Sequence, residues 1–145
     1  MKDKFKTAYM ACAKTFAELS HAKRAQVGCI IVKNNRIISI GYNGMPSGWD
    51  NNCEDITRDS NGTTTLKSKP EVLHAETNAI AKVAQSSDSA SGASLFCTHM
   101  PCLDCAKLIH QSGISEVYYS EDYLAARGSG KEFMEKSGIK LEQVQ

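Results

Sequence analysis

Apolar residues recur along the chain with two alternating periods. Phe5, Ala8, Tyr9, Cys12, Phe16 and Leu19 stand at helical spacing and predict a first helix over 4–19. Val27, Cys29 and Ile31 then alternate with their neighbours, Asn34-Asn35 marks a tight turn, and Ile37 to Ile40 return, which predicts a β-hairpin. Residues 43–70 hold Gly, Pro, Ser, Asn and Asp with little periodicity and predict a long loop, a feature that within a domain is usually functional or mobile. The helical period resumes over 74–85. The run Ala93 to His99 reads as a short buried strand. "PCLDCAKLIHQSG" reads as a helix with Pro101 at its mouth and Gly113 as its stop. A strand at 115–120, a helix closed by Gly138 and a strand at 139–144 complete the series. Hairpin, helix, strand, helix, strand, helix, strand predicts an α/β fold: a mixed five-stranded sheet with helices on both faces, a three-layer α/β/α sandwich.

No composition break, repeat or linker divides the 145 residues, so a single domain over 1–145 is expected. The net charge of +1 gives no basic footprint for nucleic acid and no anionic-membrane patch. No apolar run reaches the roughly 20 residues that cross a bilayer, and the mixed Lys, Asp and apolar start lacks the continuous core of a signal peptide. An intracellular protein is expected. Its six cysteines, at 12, 29, 53, 97, 102 and 105, then point to burial or metal rather than disulfides. Cys12, Cys29 and Cys97 lie in apolar surroundings and read as small core residues.

The stretch "KPEVLHAETNAIAK" begins its helix with His74 and Glu76. Taken singly, they are a helix-start pair, with Glu favoured by the dipole. About 30 residues later come Pro101-Cys102-x-x-Cys105, two thiols one helical turn apart at a positive helix end that favours thiolates. One His and two Cys form a three-ligand zinc site of the catalytic type, whose fourth position is left for water. Glu76, two residues past the His, suits the proton carrier for that water. Together the residues spell H-x-E…P-C-x-x-C, the signature of zinc nucleobase deaminases.

Around that signature run "QVGCIIVKNNRIISIGYNGMPSG", "HAETNAIAK" and "PCLDCAKLIHQSGISEVYYSEDY", and over nearly its whole length the chain resembles the deoxycytidylate (dCMP) deaminases. The resemblance implies a cytidine deaminase-like fold and hydrolysis of dCMP to dUMP and ammonia, which supplies dUMP for thymidylate synthesis. It implies Zn2+ on His74, Cys102 and Cys105, with Glu76 passing a proton to N3 and then to the leaving amine. It places the backbone of Ala75 on the base, Asn43 on the deoxyribose, and Arg24 and Tyr123 near the phosphate, with Arg127 a further candidate. Asn43 followed by Gly44 also suits a simple turn. Trp49 reads either as a cover for a ligand or as packing. The resemblance further implies a homohexamer, activated by dCTP with Mg2+ and inhibited by dTTP. The effector loop would be Gly41, Tyr42, Asn43, Gly44, Met45 and Pro46. Some relatives hold a second, structural zinc; here Cys53 with His21 or Cys29 would be its candidate ligands. Two other readings stand beside this one: a deaminase of deoxycytidine or dCTP, and a non-catalytic zinc-binding module, which the presence of Glu76 argues against.

Overall fold

The structure is a computed structural model that describes residues 1–123 and 128–145. Its elements run α1 (Asp3–Ala17), β1 (Gly28–Lys33), β2 (Arg36–Tyr42), β3 (Glu54–Arg58), β4 (Thr64–Ser68), α2 (Ala75–Ala84), β5 (Ser94–His99), α3 (Leu103–Gln111), β6 (Glu116–Glu121), α4 (Lys131–Lys136) and β7 (Lys140–Gln143). Five strands form one sheet in the order β2-β1-β5-β6-β7. β1 is antiparallel to both β2 and β5, whereas β5, β6 and β7 run parallel. The sheet is therefore mixed, as the alternation of periods predicts.

Helices cover both faces, and the strand residues sort themselves between them. Ile30, Val32, Phe96 and Tyr118 meet Met10 and Ala13 of α1 on one side. Cys29, Ile31, Leu95, Cys97, Val117 and Tyr119 meet α2, α3 and α4 on the other. Because a strand's side chains alternate between faces, burial on both sides demands the continuous apolar runs seen in β1 and β5. The β1–β2 hairpin closes through Asn34 and Asn35 at φ 51° and 58°, the two left-handed positions of a type I′ turn.

The long loop expected over 43–70 contains a second hairpin. β3 and β4 pair antiparallel, with Ile56 opposite Leu66 and Thr57 opposite Thr65. Nearly every residue of both strands is exposed, so no buried face imposes a period of two on the sequence. The turn holds by side-chain chemistry instead: Asp59 Oδ1 accepts from the N–H groups of Asn61 and Thr63 at 2.9 Å each. Among the described residues, no helix is long and apolar enough to cross a membrane.

Candidate active site

Two helix mouths meet at the centre of the site. His74 is the N-cap of α2 and Cys102 the N-cap of α3, both with extended backbones, while Glu76 and Cys105 sit in the first turns. His74 Nδ1 lies 3.3 Å from Cys105 Sγ and 3.6 Å from Cys102 Sγ. One donor atom from each of the three falls within 4.8 Å of the others, and among the described residues they form the one such group able to hold a metal. All six cysteines are free thiols. A nitrogen and two sulfurs converging at helix N-termini fit a zinc ion.

The electrostatics agree with that fit. The hydrogen bond from Cys105 pushes the Cys102 thiol down to about 4 against the opposing effect of burial. The same contact, together with burial, pushes Cys105 up. A cation in the cluster would favour the thiolate form of both cysteines. Glu76 is 4% exposed and outside the ligand group. Burial raises its carboxyl pKa, with the neighbouring His74 acting in the opposite direction. A carboxyl tuned upward in this way suits a group that must both take and give a proton.

These residues line a cavity of about 730 Å³. The same cavity gathers Arg24, Asn43, Ala75 and Tyr123 from four separate segments. Ala75 is the first residue of α2, so its N–H is among the four that a helix start leaves without an intrahelical partner. Tyr123 packs edge-on against His99, ring centres 5.5 Å apart. Arg24 Nη1 donates to Ser68 Oγ at 3.4 Å. Asn43 also braces a neighbouring segment, since its Oδ1 accepts from Val27 N–H and its Nδ2 donates to Ala25 C=O, both at 2.9 Å.

The run Gly41 to Pro46 is divided by the structure. Gly41 and Tyr42 end β2, Gly44 exchanges two backbone hydrogen bonds with Leu73, and Met45 and Pro46 are half-buried beside it. Within the run, Asn43 is the residue on the cavity wall. Arg127 lies outside the described residues. Trp49 is 56% exposed and away from the cavity. The suggested second zinc ligands do not assemble among the described residues: Cys29 sits in the core opposite Cys97, and His21 is exposed. Cys12 is half-exposed rather than buried, while Cys29 and Cys97 are fully buried. Sequence reasoning missed the wall given by the second hairpin, Glu54, Lys67, Ser68 and Lys69, and also His99. For the hairpin, the Asp59 to Gly62 turn chemistry was the available signal.

The family model described as the cytidine and deoxycytidylate deaminase zinc-binding region matches residues 3–121. ComE operon protein 2 of Bacillus subtilis (strain 168) is 36% identical over 141 residues, which cover 94% of this chain and 69% of that protein. Human deoxycytidylate deaminase is 40% identical over 115 residues, covering 79% of this chain; the chain spans 63% of that enzyme's length. The crystal structure of dCMP deaminase from cyanophage S-TIM5, in complex with dCMP and dUMP, superposes with a TM-score of 0.86 at 42% identity and covers 99% of both chains. With the match over residues 3–121 spanning both helix mouths, the chain belongs to the cytidine and deoxycytidylate deaminase family.

Proposed function

We propose that this protein hydrolyses dCMP to dUMP and ammonia. The observation that carries the reading is the convergence of His74, Cys102 and Cys105 beside a buried carboxylate, Glu76, that is not one of their number. That the relatives include a human deoxycytidylate deaminase and a viral enzyme solved with dCMP and dUMP supports the choice of nucleotide. His74 Nδ1 and the two cysteine sulfurs are the groups that would hold zinc. When bound there, zinc supplies a Lewis acid that makes water nucleophilic near neutral pH.

The chain's own residues account for the rest. The Ala75 N–H holds the base's O2, a role supported by its position at the start of α2 on the cavity wall. Glu76 takes a proton from the attacking water, gives it to N3, and serves the departing amine, so that water and dCMP leave as dUMP and ammonia. Asn43 meets the deoxyribose, and Arg24 with Tyr123 receives the phosphate through charge-assisted hydrogen bonds. The product would supply thymidylate synthesis. The reading extends to a homohexamer, with dCTP and Mg2+ activating and dTTP inhibiting through Gly41 to Pro46. A substrate panel of dCMP, CMP, deoxycytidine and dCTP, run with and without dCTP and dTTP, tests it. dCMP is expected to be turned over with the highest kcat/KM, and deoxycytidine turned over equally well would overturn the phosphate assignment. Activity flat across the dCTP and dTTP titrations would remove the regulatory part.

A further inference from the structure

We propose that Glu54 is a positioning residue for substrate recognition, holding Arg24 in place for the nucleotide's phosphate. The inference deepens the reading above and rests on its assignment of Arg24. Glu54 is the first residue of β3, 4% exposed, on the cavity wall. Its Oε2 accepts two successive backbone N–H groups, Lys23 at 2.8 Å and Arg24 at 3.1 Å. A carboxylate this far from water needs such donors, and the pair of bonds fixes the peptide planes on both sides of Lys23 Cα.

Asn43 grips the same segment from the other end, through Ala25 C=O and Val27 N–H. Two side chains thus take up four backbone groups of the five residues 23–27. This segment has no helix or strand of its own to hold it; besides these bonds, Gln26 Nε2 donates to Ser20 C=O at 2.8 Å and Asn43 N–H to Val27 C=O at 3.1 Å. The second contact to Arg24 comes from the residue directly across the hairpin: Ser68 pairs with Glu54 in the β3–β4 ladder, and its Oγ accepts from the Arg24 guanidinium. One cross-strand pair therefore holds both the backbone and the head of the same arginine. Lys69 N–H donating to Cys53 C=O at 2.8 Å closes the hairpin base beside it. Because Glu54 bonds the backbone, its charge is satisfied there, and the guanidinium keeps donors for a phosphate; among the described residues it makes no ion pair.

The test compares kcat/KM for dCMP and for deoxycytidine in the wild type, R24A, E54A and E54Q, with zinc content and thermal unfolding as checks on the fold. The wild type is expected to prefer dCMP, and R24A to lose the preference. E54A is expected to lower kcat/KM for dCMP about tenfold or more, chiefly through KM, leaving the deoxycytidine value within about twofold of wild type. E54Q keeps an acceptor oxygen for both N–H groups and is expected to retain most of the preference. If R24A keeps the preference, the phosphate assignment falls and the role of Glu54 falls with it. If R24A loses it while E54A keeps it, Glu54 alone is refuted. Equal losses on both substrates in E54A would show a merely structural residue. A lower KM for dCMP in E54A would show Glu54 competing with phosphate for the two N–H donors, which also overturns the proposal.

Discussion

Gly41→Ala is expected to cripple the enzyme from beneath the metal ligands. Gly41 pairs with Cys29 in the sheet, and its Cα faces the start of α2. A Cβ there would stand 2.3 Å from Ala75 O, 2.7 Å from Ala79 N and 3.2 Å from Ala79 Cβ. Backbone atoms make the two closest contacts, so no rotamer change relieves them. Ordinary contact begins near 3.4 Å, so this end of α2 must lift by about 1 Å, carrying His74, Ala75 and Glu76 with it. Overpacking of this kind costs about 1–3 kcal/mol, and about 1 Å of misplacement at reacting groups costs about 100-fold in rate. In a domain of this size the stability loss lowers Tm by roughly 3–10 °C. Gly44→Ala is the control, since nothing lies within 4 Å of its Cβ position. The assay is kcat for dCMP alongside Tm and zinc-to-protein ratio. A G41A protein with wild-type Tm and kcat, or one no worse than G44A, would refute the close-packing argument.

Two further predictions concern the site and the core. Glu76→Gln is nearly isosteric and leaves the three metal donors untouched, so it should retain zinc by elemental analysis while turnover falls by about 10²–10⁴; surviving activity would remove Glu76 from the proton path. Glu116 Oε2 accepts from Ser94 Oγ at 2.8 Å and Tyr118 Oη at 2.9 Å. Burial acts to raise its pKa, but these hydrogen bonds and the Lys140 charge outweigh it and hold the carboxyl below its ordinary 4.5. A depressed folded-state pKa gives stability that is full above the unfolded value and lost as pH falls through the folded one, so Glu116→Gln should flatten the decline of Tm between about pH 5 and pH 3. Parallel Tm–pH curves for the two proteins would contradict this.

What could be read in the sequence is what burial or covalent spacing enforces. β1, β5 and β6 showed as apolar runs because helices press on both of their faces. Asn34-Asn35 showed as a turn because two successive left-handed residues suit few side chains. His74 with Glu76, and Cys102 with Cys105, showed because each pair lies within one turn of a helix mouth, where spacing alone fixes proximity. β3 and β4 did not show, since a hairpin exposed on both faces leaves alternation free to drift. That omission hid one wall of the cavity, and with it the pair Glu54 and Ser68 that flanks Arg24.

The run from Gly41 to Gly44 reads in sequence as one motif, yet each residue holds a different part of the site. Gly41 lies under Ala75, so it sets the height of α2 over the sheet. The Tyr42 carbonyl accepts from Asn78 Nδ2 at 2.7 Å, tying the same helix one turn further on. Asn43 secures the segment that carries Arg24, and Gly44 bonds Leu73, the residue before His74. His74 and Glu76 on one side, and Arg24 on the other, thus hang from four consecutive residues. A ligand that displaced the whole run would disturb both sides. If effectors do bind there, a coupling free energy of about 1–3 kcal/mol, typical of allosteric enzymes, should divide between the two ends. KM for dCMP and kcat would then move together. An effector that altered KM alone would have to move Asn43 and its hold on Ala25 and Val27 while leaving Gly41, Tyr42 and Gly44 beneath the start of α2 undisturbed.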